Sequence, residues 1–219
     1  MLRLAHRGDW RHAPENSLAA FRAAMAIPGC DGVELDVRLS GEGTPVVLHD
    51  ETLSRVQRRP GRVGALRDAE LAAAGVPTLA AALAAVPAGA FLDVELKADN
   101  HGAGTGAALR AARGESPDRA VVSSFDVRIL ARVGGSRPGW RRWLNVRDLR
   151  PATIEIASGL GCVGVACAWR AINERGIDRV RTAGLVLAAW TVSNAVTSRR
   201  LERAGIEAVV AEGEALDRS

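Results

Sequence analysis

Short apolar runs rich in valine, leucine and alanine recur along the chain, each separated from the next by a longer alanine-rich stretch of helical period. The runs read as strands near Leu2 to His6, Gly32 to Val37, Phe91 to Leu96, Ala120 to Ser124, Trp140 to Asn145, Gly161 to Ala166, Leu185 to Trp190 and Ala208 to Ala211. Helical patterns occupy Ser17 to Ala26, Leu79 to Ala85, Ala103 to Arg113, Val127 to Val133, Ala171 to Ala183 and Ala195 to Ala204. Parallel strands need crossover connections, so this alternation implies a parallel sheet of the α/β class. Eight such units in 219 residues favour a compact (β/α)8 TIM barrel over an open sheet. No GxGxxG follows the first strand, which removes the main support for dinucleotide binding.

A single domain over 1–219 is expected, long enough to bury ~70% of its unfolded surface. Hydrophobic residues at 47% and charged residues at 25% are ordinary for a globular chain. No apolar run reaches the ~20 residues of a membrane span, and the first motif starts too early for a secretory leader, so a cytoplasmic protein without stable membrane insertion is expected. The net charge of +4 suits an anionic substrate and would also suit nucleic acid. The arginines are dispersed, however, with pairs such as Arg58-Arg59, Arg141-Arg142 and Arg199-Arg200 and no interleaved aromatics to stack on bases, so no nucleic-acid partner is expected. Cys30, Cys162 and Cys167 are an odd set without CxxC spacing and read as buried apolar residues, not as a disulfide or zinc framework. Oligomeric state leaves no signal in the pattern.

Candidate chemistry gathers at strand ends. Glu34 and Asp36 lie two apart on one strand, so both side chains face one way with Cα atoms roughly 6.6 Å apart. Glu95 occupies the matching end of the next principal strand, at the face where barrel active sites are built. Three converging carboxylates suit one hard divalent cation, Mg²⁺ or Ca²⁺, and disfavour zinc. Salt bridges to Arg38 and Lys97 on a solvated strand end are the competing explanation. His6 and His49 each end an apolar segment beside this cluster, and a pair of imidazoles can serve as acid and base in diester cleavage. His12 and His101 have no such setting and read as loop residues. Lys97 is the one lysine in an arginine-biased chain, which marks either a need for a compact point charge or chance. Asn16 is a plausible helix N-cap, and Glu15 beside it a candidate tie from that loop to the metal site.

His6-Arg7-Gly8, Pro14-Glu15-Asn16-Ser17, Glu34-Leu35-Asp36, His49-Asp50, Glu95-Leu96-Lys97 and Trp190-Thr191-Val192-Ser193 stand in order over most of the chain. This series resembles the glycerophosphodiester phosphodiesterases, a family of phospholipase C-like barrels. The resemblance implies a cation held by Glu34, Asp36 and Glu95, with His6 and His49 as general acid and base, roles it does not divide between them. It further implies that Arg7 and Lys97 contact phosphate oxygens and that Trp190 closes over a glycerol moiety, while packing at the barrel top is the other role open to Trp190. Ser123-Ser124-Phe125 resembles the family segment that shapes the pocket wall. The segment after His49-Asp50 would be a short cap insertion, about 51–76, leaving the pocket more open than in relatives with a larger cap. Two departures stand out: Ser193 replaces the usual asparagine, and Ala211-Glu212-Gly213 replaces a Thr-Asp pair, which bears on substrate choice more than on chemistry. The implied substrate is a small glycerophosphodiester. A catalytically silent phosphodiester-binding barrel is the alternative from a different class. A lysophospholipase-D-like enzyme at a membrane ranks below both, because no basic amphipathic helix or lipid-anchor motif is evident.

Overall fold

The computed structural model describes residues 1–98, 103–115 and 117–217, so His101 lies outside the described residues. Eight parallel strands close into a barrel: β1 (Leu2–His6), β2 (Gly32–Leu39), β4 (Phe91–Leu96), β5 (Ala120–Ser124), β6 (Arg142–Val146), β7 (Gly164–Ala168), β8 (Val186–Val192) and β9 (Ala208–Ala211). A short β3 (Pro45–Val47) pairs antiparallel with β2 outside the ring. Pairing of β1 with both β9 and β2 completes the closure.

The crossovers are α1 (Leu18–Met25), α3 (Leu79–Ala85), α4 (Ala103–Arg113), α5 (Val127–Ser136), α6 (Pro151–Gly159), α7 (Glu174–Thr182) and α8 (Ala195–Arg203), with α2 (Asp68–Ala73) preceding α3. The sequence pattern does not predict α2 or α6. The α6 segment PATIEIASG starts at a proline, which suits the first turn of a helix, but it lacks a clean apolar stripe. Strands β6 and β7 also begin two to three residues later than predicted, because Trp140 and Cys162 belong to the buried approach to each strand. Residues 51–76 pack over a small apolar cluster that includes Leu53, Val63, Leu71 and Val76.

Strand residues alternate between two apolar layers. Outward-facing Leu35, Leu92, Val94, Val165 and Leu187 pack against helix residues such as Phe21, Ile129 and Leu130. Inward-facing Leu4, Phe91, Val121, Trp143, Ala166, Ala188 and Ala208 fill the lower barrel, where Phe91 and Trp143 stack with ring centroids 5.8 Å apart. A side chain on Gly32 would put its Cβ 2.0 Å from the Phe91 carbonyl oxygen, so close strand approach requires glycine there. Among the described residues no helix is long and apolar enough to cross a membrane.

Candidate active site

Strand register assembles the polar residues above this floor. His6 pairs opposite Glu34, Glu34 opposite Asp93, Asp36 opposite Glu95, and Glu95 opposite Ser123. One oxygen from each of Glu34, Asp36 and Glu95 lies within 4.8 Å of the others. Glu34 and Asp36 are 4% and 1% exposed, so the solvated strand end that would account for them as ordinary surface salt bridges is not what surrounds them. Arg38 donates Nε–H to the His49 carbonyl at 2.9 Å.

Burial raises the Glu34 carboxyl well above its usual range, and the neighbouring Asp36 and Glu95 charges add to it. Burial and Asp36 likewise raise Glu95. Asp36 goes the other way: burial alone would raise it, but Lys97, Arg7 and His49 outweigh that and hold it low. Lys97 Nζ lies 2.6 Å from Asp36 Oδ1 and also bonds Glu95. Asn16 Nδ2 donates to Asp36 Oδ2 at 2.8 Å, and Arg7 Nε lies 3.2 Å from the same oxygen. An all-oxygen donor set whose crowding destabilises its own charges fits a hard divalent cation.

Asp93, in phase with Glu95 on β4, belongs to none of the sequence motifs of the site. Burial pushes its carboxyl up to about 7, against a 2.6 Å hydrogen bond from Ser123 and with the help of the Glu95 and Asp36 charges.

Each histidine has a carboxylate on Nδ1. His6 Nδ1 lies 3.2 Å from Glu212 Oε2, and His49 Nδ1 lies 2.7 Å from Asp50 Oδ1. Ionised carboxylates only accept, so each Nδ1 carries the proton and each Nε2 is left with its lone pair. His6 Nε2 is 4.0 Å from Glu34 Oε2. Hydrogen bonding to His6 lowers the Glu212 carboxyl. The barrel closure explains that contact: Ala5 pairs opposite Ala211, so the next residues on each strand meet. Burial lowers the His49 imidazole despite the raising pull of Asp36 and Asp50, which favours the neutral base form.

The loop after β1 differs from the N-cap expectation for Asn16. Ser17 caps α1, accepting from the Ala20 N–H at 3.1 Å, while Asn16 turns to Asp36 with a left-handed φ of 56°. Arg7 is also left-handed at 59°, pinned by its own N–H to the Glu34 carbonyl at 2.9 Å. Glu15 reaches the carboxylate cluster only through Arg7, whose Nη1 donates to it at 2.8 Å. On its other side Glu15 takes two hydrogen bonds from Arg55, at 2.8 and 2.6 Å, and Arg55 also grips Asp50 at 2.6 Å. Arg55 has no motif around it that would have identified it. His12 lies in the irregular loop after β1.

The site opens into a cavity of about 190 Å³ lined by His6, Arg7, His49, Lys97 and Trp190 among others. Among the described residues none between 51 and 76 lines it. Trp190 donates Nε1–H to the Ala166 carbonyl at 2.8 Å and meets Phe125 edge-on with centroids 5.4 Å apart. Arg147, outside every sequence motif of the site, lies near both rings, with Cζ 5.6 Å from the Phe125 centroid and 5.9 Å from that of Trp190.

Several comparisons bear on this arrangement. A 60-residue stretch is 52% identical to a glycerophosphodiester phosphodiesterase of Caldanaerobacter subterraneus subsp. tengcongensis, covering 27% of this chain and 24% of the relative's length. In structure, an Oleispira antarctica phosphodiesterase in complex with the product sn-glycerol-3-phosphate matches at TM-score 0.87 and 27% identity, over 96% of this chain and 92% of that one. A glycerophosphodiester phosphodiesterase from Agrobacterium tumefaciens str. C58 matches at TM-score 0.84 and 26% identity, over 99% and 98% of the two chains. The model of the glycerophosphoryl diester phosphodiesterase family matches residues 6–212, from the first histidine of the site to the carboxylate that orients it, and the chain belongs to that family.

Proposed function

We propose that the chain hydrolyses glycerophosphodiesters to glycerol 3-phosphate and an alcohol, with one divalent cation, Mg²⁺ or Ca²⁺, held by Glu34, Asp36 and Glu95. The observation that carries this reading is the meeting of two carboxylate-backed imidazoles with a three-carboxylate cluster around one cavity. The product found in the Oleispira antarctica relative supports the choice of a glycerol phosphate arm. When bound, such a cation polarises the phosphoryl group and lowers the pKa of a coordinated hydroxyl.

The protein's own residues supply binding and proton transfer. Lys97 and Arg7 present positive charge to phosphate oxygens from the wall they share with the carboxylates. Trp190 covers the glycerol. The glycerol C2 hydroxyl lies within reach of phosphorus and attacks in line, so no serine or cysteine nucleophile is needed. One histidine takes the proton of that hydroxyl at Nε2 while the other protonates the departing alcohol. Water then opens the cyclic phosphate with the two roles exchanged.

The test is a coupled assay for glycerol 3-phosphate over several glycerophosphodiesters. Chelator should abolish release, and Mg²⁺ or Ca²⁺ should restore it. Absence of glycerol 3-phosphate from every diester with either metal supplied would sink the proposal.

A further inference from the structure

We infer that Arg147 selects the alcohol arm of the substrate, favouring alcohols that carry a second negative group and disfavouring quaternary ammonium alcohols. The inference rests on the proposed diester hydrolysis and deepens it. Trp143, Asn145 and Arg147 fall in phase along β6, and Arg147 sits one residue past the strand end, where its side chain lines the cavity. In the ring of eight strands β6 stands four places from β1, so Arg147 faces the His6 side across the mouth.

Two features set this guanidinium apart from the other arginines of the site. Arg7 is engaged by Glu15 and Asp36, and Arg55 by Glu15 and Asp50. Arg147 has no carboxylate partner among the described residues. It lies instead against two aromatic rings, with Cζ 5.6 Å from the Phe125 ring centroid and 5.9 Å from that of Trp190. A guanidinium set against rings and without a carboxylate keeps its donor fork available for a phosphate or carboxylate. The scissile phosphate is already served by Arg7, four strands away past the end of β1, and by Lys97, two strands away past the end of β4. The group left for Arg147 is therefore one on the outgoing alcohol.

The same arrangement argues against choline-like alcohols. With Trp190 over the glycerol, Phe125 is the ring left to meet a quaternary ammonium, but the Arg147 guanidinium 5.6 Å from its centroid repels a second cation.

The experiment measures kcat/KM of the full chain, with metal, on glycerophosphoinositol 4-phosphate, glycerophosphoinositol and glycerophosphocholine, which share the glycerol phosphate arm and differ in the charge of the other. The wild type should prefer them in that order. R147L should reduce the ratio of the anionic to the cationic substrate by about tenfold. R147K, which keeps charge without the planar donor fork, should fall between them. Absence of a wild-type preference, or an equal loss on all three substrates in R147L, would overturn the inference, the latter by showing that Arg147 serves the shared phosphate. If the wild type cleaves none of the three, the hydrolysis reading fails before the variant is compared, and the inference goes with it.

Discussion

His6 and His49, the pair proposed as general acid and base, stand on unlike supports. His6 ends a barrel strand, is fixed by register against Glu34 on one side, and meets Glu212 where the barrel closes on the other. Its side chain is 18% exposed. His49 follows β3, outside the ring, and its side chain is 38% exposed. Its orienting Asp50 is held by Arg55, which also grips Glu15 and through it Arg7. Barrel register brings the first histidine and its carboxylate together, whereas the second depends on a chain of side-chain ion pairs that begins outside the barrel. Exposed ion pairs are individually weak and are screened by salt, so the two arms should respond differently to the same insult.

The largest effect erases the comparison. His6→Ala or His49→Ala should each lower kcat by ~10²- to 10⁴-fold with the fold retained, measured by glycerol 3-phosphate release and circular dichroism. A loss below about threefold removes that histidine from the chemistry.

Removing the orienting carboxylates should separate the arms. Glu212→Gln should cost ~10²-fold in kcat, because His6, the less exposed of the two, has less access to water as a replacement partner. Asp50→Asn should cost about tenfold, since water reaches His49 more readily. Equal losses would mean that the difference in exposure has no mechanistic weight.

Arg55→Ala should have the smallest effect, about fivefold in kcat/KM, equivalent to ~1 kcal/mol, and the gap from wild type should shrink as salt rises. This variant also reads out in acid. Hydrogen bonds from Arg55 hold the Asp50 carboxyl down at about 2. A carboxylate whose folded pKa lies below its unfolded value stabilises the fold above the unfolded pKa, and that contribution is lost as pH falls toward the folded one. The wild-type advantage over Arg55→Ala in thermal melting should therefore be present at neutral pH and disappear between about pH 4 and pH 2. An advantage that survives at pH 2 would show that Arg55 acts without Asp50.

Residues linked by strand period or sequence adjacency were legible in the chain. The i, i+2 spacing of Glu34 and Asp36, the phase of Glu95, and the adjacency of His49 and Asp50 all follow from local order. The same period would have pointed to Asp93 and Arg147, because each is in phase with a residue already facing the interior. The pairing of His6 with Glu212 joins residues 206 apart in sequence and depends on the closing register, which no local pattern encodes. Asn16 looked like a cap because asparagine suits that position. Its left-handed backbone and its bond to Asp36 are set by the tertiary fold. Arg55 was illegible because an arginine among many arginines gains meaning only from where its loop lands.

The stacked rings of Phe91 and Trp143 give the barrel a floor, so its axis is filled and is no channel. Under the proposed hydrolysis, diester, water and both fragments would therefore share the carboxyl-end mouth, and a product still bound there would compete with the next diester for the same space.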